Sequence, residues 1–151
     1  MLENNFNQEK FAALFAELTT FKANPFHPLV WIVGEPEIGD GVYIGGFSEI
    51  QANGARVVIG DNCDIASFTA INCSDSHLQT LGLHHEPVRR DITLENNVFV
   101  GSHCVIKGGV TIGHHSVVAA GTVVDACEVP PFSLVHGNPM TIRRGYYLGK
   151  I

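Results

Sequence analysis

Apolar and polar positions along this chain follow a step that neither common secondary structure explains. Ile32, Ile38, Ile44 and Ile50 stand six residues apart, and after three extra residues Ile59, Ile65 and Ile71 resume the step. Leu94, Val100, Ile106, Ile112, Val118 and Val124 repeat it further on. A helix repeats every 3.6 residues and a half-buried strand every two. A step of six suits a three-sided prism of short parallel strands, in which each unit supplies one side and one inward aliphatic. Small or β-branched residues form a second column four positions after many of these aliphatics: Val42, Ser48, Cys63, Thr69, Val98, Cys104, Val110, Ser116 and Thr122. Cys63 and Cys104 read as buried fillers in that column. Gly39, Gly45, Gly60, Gly101 and Gly113 directly follow an aliphatic, where the expectation is relief of backbone constraint near a turn. About thirteen units predict roughly four turns, about 20 Å tall at the spacing of adjacent strands.

The ends differ from the middle. Phe11, Leu14, Phe15, Leu18 and Phe21 form the stripe of an amphipathic helix, with Asn5 or Asn7 as cap and Pro25 as stop. This helix is expected to cover an end or side of the prism. The reading is a single all-β domain over 1–151. It comprises an N-terminal helical segment (1–25), coils (31–74 and 92–129), a protruding loop (75–91) and a C-terminal tail (130–151) that leaves the repeat.

Composition narrows the function. A formal charge of -6 over 151 residues argues against nucleic-acid binding. No apolar run approaches membrane-spanning length, and the first residues lack a secretory pattern, which predicts a cytoplasmic protein. Four dispersed cysteines, with no C-x-x-C pair, read as free thiols.

The loop is where chemistry concentrates. SDSHLQTLGLHHEPVRRD, Ser74 to Asp91, carries three histidines, two arginines and several carboxylates. A loop thrown from one corner can reach a groove that the chemically blank prism faces cannot furnish. Neutral imidazole suits general-base work on a hydroxyl at pH 7. Asp75 or Glu86 can orient such a ring, and His84 or His85 is an alternative base. Arg89 and Arg90 read as loop anchors or as phosphate ligands.

The segment ITLENNVFVGSHCVIKGGVTIGHHSVVAAGTVV, followed by PPFSLVHGNP, resembles the hexapeptide-repeat acyltransferases with their left-handed parallel β-helix. It is most similar to the xenobiotic, galactoside and maltose acetyltransferases and to sugar O-acetyltransferases of surface-polysaccharide (lipopolysaccharide, O-antigen) synthesis. The resemblance runs from about Ile32 to Arg144. It implies a homotrimer with sites between subunits, acetyl-CoA as donor, no metal, and a sugar or sugar-nucleotide acceptor. By that resemblance His77 is the catalytic base. Turn amides near Ser102 and Ala120 hold the acyl-CoA arm, with Gly121 leaving room, and the Ser102 amide is the candidate oxyanion donor. Arg144 matches the position that reaches the CoA phosphates, with Arg143 and Lys150 assisting. The chain departs from its relatives where they carry lysines: Asp125 and Ala126 follow Val124, and Met140 and Thr141 follow Pro139. Phe99 replaces their tryptophan. An amino-sugar N-acetyltransferase shares the prism, as do γ-class carbonic anhydrases, and a non-catalytic scaffold is a third class. The carbonic anhydrase reading is weakened by the lack of an H-x4-H spacing. His103 and His115 fall on different faces, and His114 and His115 are expected to point apart, as neighbours on a strand do.

Overall fold

The computed structural model describes residues 7–19 and 24–151. Three parallel sheets enclose one core. The first face stacks Trp31–Gly34, Glu49–Ala52, Ala70–Asn72, Val105–Lys107 and Val123–Val124. The second stacks Glu37–Ile38, Val57–Ile59, Ile92–Leu94, Thr111–Ile112 and Glu128–Val129. The third stacks Tyr43–Ile44, Asp64–Ile65, Phe99–Val100, Val117–Val118 and Leu134–Gly137, with Met140–Arg143 returning antiparallel. The chain visits the faces in rotation, so the molecule is a parallel β-helix.

Strand register turns the sixfold step into interior columns. Ile32, Ile50, Ile71, Ile106 and Val124 lie one above another on the first face. Ile38, Ile59, Leu94, Ile112 and Val129 do so on the second, and Ile44, Ile65, Val100, Val118 and Val135 on the third. Ile50, Ile65, Ile71, Ile106 and Ile112 are wholly buried, and each contributes about 1.5–3 kcal/mol relative to exposure. The β-branched side chains also suit the short extended segments.

Five turns form, one more than the spacing predicts. Val129 and Val135 continue the columns after a unit shortened by one residue, which breaks the sixfold count without breaking the coil. The repeat thus runs to Gly137, and the tail begins as a hairpin. Met140 and Ile142 of that hairpin pack against the core.

The small column is buried from Ser48 to Thr122, Cys63 and Cys104 included, and Ser133 joins it, while Val42 on the first turn is half-buried. Its hydroxyls are satisfied: Ser48 Oγ donates to the Ala66 carbonyl and accepts from the Thr69 amide. The glycines after the aliphatics serve a purpose other than the one expected. A Cβ on Gly45 would meet the Ser67 amide at 2.5 Å, and one on Gly101 the Ala120 amide at 2.5 Å. They are required by close approach of the next turn. The left-handed corner position instead falls three residues before an inward aliphatic, and Phe47, Asn62, Phe68, Asn97, His103, His115 and Phe132 adopt it with φ of 55–63°.

The helix spans Gln8–Leu18, with the Asn7 side chain accepting from the Lys10 amide. Asn5 and Phe21 lie outside the described residues. No helical residue is buried, and Leu14 and Leu18 are exposed. The expected stripe is therefore not sunk into the prism. Gln8 Nε2 ties the helix to the first turn by donating to the Phe26 carbonyl at 2.8 Å. No helix among the described residues is long and apolar enough to cross a membrane.

Candidate functional site

The loop leaves the corner between the first and second faces. Ser74–Asp75 and Val88–Arg89 pair antiparallel as its stem, and a one-turn helix, His77–Thr80, follows. The Asn72 side chain starts the turn by accepting from the Ser74 amide at 2.8 Å. Asp75 Oδ1 then accepts from the His77 amide at 3.2 Å and lies 2.5 Å from His77 Nδ1. An ionised carboxylate only accepts, so in the neutral ring Nδ1 carries the proton and Nε2 the lone pair. Asp75 has its pKa held below the usual aspartate value, chiefly by the His77 side-chain hydrogen bond and then by the His77 amide.

Of the two carboxylates the sequence offered, Asp75 thus orients His77, while Glu86 is exposed. His84 and His85 are exposed on the outer part of the loop, where the Gln79 side chain donates to the His85 carbonyl. Neither lines the cavity of about 450 Å³ that His77 shares with Asp75, Cys73, Arg90, Lys107 and Asp125. Lys107 Nζ and Asp125 Oδ1 pair across it at 3.4 Å. Sequence reasoning missed Lys107. Its signal was the eighteen-residue separation from Asp125, one full turn of the prism. A second cavity, of about 500 Å³, lies at the first turn among Phe26, Ile32, Ile38 and Val42 and contains no imidazole or thiol.

Ser102, Ala120 and Gly121 occupy the corner between the third and first faces, one corner away from His77. There the amides of Ser67, Ser102 and Ala120 donate to no acceptor among the described residues. Matching amides at the corner between the second and third faces are taken up. Asp61 Oδ1 accepts from Asp40, Asn96 Oδ1 from Asp61, and Glu95 Oε2 from His114, each at 2.8 Å. Small residues thus leave one edge of the prism with a row of open donors. Beside that row Phe47, Phe68 and His103 stack at 5.1 and 4.9 Å. The next rung is Gly121, whose φ is +73° and whose added Cβ would meet nothing within 4 Å. The ladder ends in a notch.

Arg143 and Arg144 are exposed at the far end of the prism, toward which the open amides climb. The Arg143 guanidinium lies 4.5 Å from the Tyr146 ring centre and Lys150 Nζ 3.7 Å from it.

The histidine pair corrects an expectation. His114 and His115 sit in a bend, not a strand, and with His115 at φ 55° their Nδ1 atoms converge to 3.0 Å. Strand alternation does not govern residues at a corner. Among the described residues no three His, Cys, Asp or Glu side chains are grouped to hold a metal ion. Cys63, Cys73, Cys104 and Cys127 are free, and burial pushes each thiol pKa up.

A family model for the hexapeptide repeat of succinyl-transferase matches residues 91–126. The galactoside O-acetyltransferase of Escherichia coli strain K12 is 34% identical over 118 residues, covering 70% of this chain and 55% of that protein. The chain therefore spans about half the length of this curated relative. A solved hexapeptide-repeat-containing acetyltransferase of Vibrio cholerae O1 biovar eltor, complexed with acetyl coenzyme A, is 31% identical. The match covers 93% of this chain and 79% of that one, with a TM-score of 0.72. A galactoside acetyltransferase in complex with coenzyme A is 27% identical over 99% of this chain and 76% of that one, with a TM-score of 0.62.

Proposed function

As the chain belongs to the hexapeptide-repeat acetyltransferase family, we propose that it moves the acetyl group of acetyl-CoA onto a hydroxyl of a sugar acceptor, with His77 as general base. The observation that carries this reading is the Asp75–His77 pair, which favours one tautomer of the neutral ring at a residue lining the cavity. Nε2 takes the hydroxyl proton as the oxygen attacks the thioester carbonyl. The oxyanion that forms is held by a turn amide, for which Ser102 is the candidate. Collapse breaks the C–S bond, and the imidazolium returns its proton to the departing thiolate, giving an ester and the free thiol. No covalent acyl-enzyme is required when donor and acceptor share one groove.

The open amides of Ser102 and Ala120, with the notch at Gly121, support a narrow arm lying along that edge. Arg143, Arg144 and Lys150 stand at its far end for phosphates. One chain does not complete the site. A base and an oxyanion donor must both lie about 3 Å from the reacting centre, yet here a prism face, roughly 10 Å of strand, separates them. This supports a homotrimer in which His77 of one chain meets the amide edge of the next. A cytoplasmic role in building surface polysaccharide goes with the reading.

The galactoside relative favours oxygen over nitrogen as acceptor atom. The test is turnover with acetyl-CoA on matched hydroxylated and amino sugars. His77→Ala should lower kcat by about 10²–10⁴-fold. Activity that survives the substitution, or transfer to amino sugars alone, overturns the proposal.

A further inference from the structure

With a neutral His77 ring the charges lining its cavity, Asp75, Asp125, Lys107 and Arg90, sum to zero, but they are not all paired. Asp75 is committed to His77, and Lys107 to Asp125. Arg90 lines the same cavity, and its guanidinium has no acidic partner among the described residues. Its placement is held from several sides. The Arg90 amide donates to the Cys73 carbonyl at 3.0 Å. Its aliphatic stem lies on a shelf made by two glycines: a Cβ on Gly108 would stand 3.2 Å from Arg90 Cβ, and one on Gly109 3.3 Å from Arg90 Cδ. A stem packed on backbone with a solvated head is how arginine positions its charge. Arg89 is drawn elsewhere, its stem lying over Gly54.

We propose that Arg90 forms an anion subsite for the acceptor, so that the preferred acceptor is an acidic sugar bearing a carboxylate or a phosphate. This rests on the acetyl-transfer reading and narrows its substrate class. A planar guanidinium binds either anion through two parallel hydrogen bonds. The anion belongs to the acceptor because the donor's phosphates are a pantetheine arm away from its thioester, and only the thioester reaches His77. A chain of net charge -6 repels an anionic substrate at long range. A fixed local cation beside the base overcomes that repulsion where it matters. The cavity of about 450 Å³ admits one monosaccharide with such a substituent.

The experiment has two arms on the full chain. In the first, kcat/KM is measured with acetyl-CoA on galacturonate, galactose 6-phosphate and methyl β-galactoside. The two acids should exceed the neutral sugar by about tenfold or more, and whichever acid is better identifies the anion. In Arg90→Gln the ratio should fall toward one, with the loss in KM for the acidic acceptor, and Arg90→Lys should recover part of it. No preference for acids in the native chain, or a loss that falls on KM for acetyl-CoA, overturns the subsite. In the second arm, the same sugars are titrated without acetyl-CoA while the His77 ring protons are followed by NMR. The acids should shift them at lower concentration than the neutral sugar, and Arg90→Gln should abolish the difference. Should the acids bind in this way while no sugar is acetylated, the subsite stands and the transfer reading falls. Transfer without charge preference does the reverse.

Discussion

At the scale of single residues, the contact between Asp75 and His77 sets both a tautomer and a direction. Removing the carboxylate frees the ring to rotate and to place its proton on Nε2, where it cannot act as a base. Asp75→Ala should therefore lower kcat by roughly tenfold to a hundredfold, with little change in KM for acetyl-CoA. Steady-state kinetics with acetyl-CoA as the varied substrate reads that split. The pH dependence of the contact has a definite sign. The hydrogen bonds favour the ionised carboxylate, so the folded pKa of Asp75 lies below its ordinary value of 3.8. Stability from this contact is present above the unfolded pKa and is lost as pH falls through the folded one. The His77 amide should keep its protection in hydrogen exchange down to about pH 5 and lose it only in stronger acid.

At the scale of elements, the corners of the prism are more informative than its faces. Left-handed backbone on a bulky residue costs about 1–2 kcal/mol, yet Phe47, Phe68 and Phe132 all accept it. Phe47 and Phe68 recover part of that cost by stacking. Gly121→Phe should then fold, because an aromatic ring at this position continues a ladder already built. It should also close the notch, raising KM for acetyl-CoA about tenfold or more, while thermal denaturation shows an intact fold. The interior column behaves differently, since nothing there can move aside. Ile106→Ala should cost about 2–5 kcal/mol and Ile106→Val about 0.5–1.5 kcal/mol in denaturant unfolding.

At the scale of the whole molecule, the proposed site, with its base and its amide edge at two corners, calls for a second chain. Complementation tests this directly. His77→Ala chains, impaired in kcat, and Gly121→Phe chains, impaired in KM, should at low acetyl-CoA exceed the activity of either alone when unfolded, mixed and refolded together. In a random trimer about a quarter of the interfaces join an intact His77 to an intact Gly121. A mixture no more active than its components would mean that base and amide edge belong to one chain. Leu81 and Leu83, both about two-thirds exposed on the loop, mark the apolar surface that such an assembly would cover.

The amino-acid sequence by itself determined the prism, because a sixfold step is a local property that repeats in every unit. Each inward aliphatic from Ile44 to Val124 could be read without knowing its neighbours. The loop was legible as the place where that step stops, and His77 stood out within it only through the family resemblance. Tertiary structure decided whatever depended on residues far apart in the chain. The fifth turn survives a missing residue because Val129 and Val135 still stack on Ile112 and Val118. Asp75 prevails over Glu86 through the geometry of a short stem in which Asp75 pairs with Val88. One corner keeps its amides open because the acids and amides that satisfy the equivalent donors, Asp61, Asn96 and Glu95, stand at another. Small side chains at Ser102 and Ala120 suited a buried corner and a binding edge equally well. Only their missing hydrogen-bond partners, visible once the turns are stacked, support the binding edge that we propose.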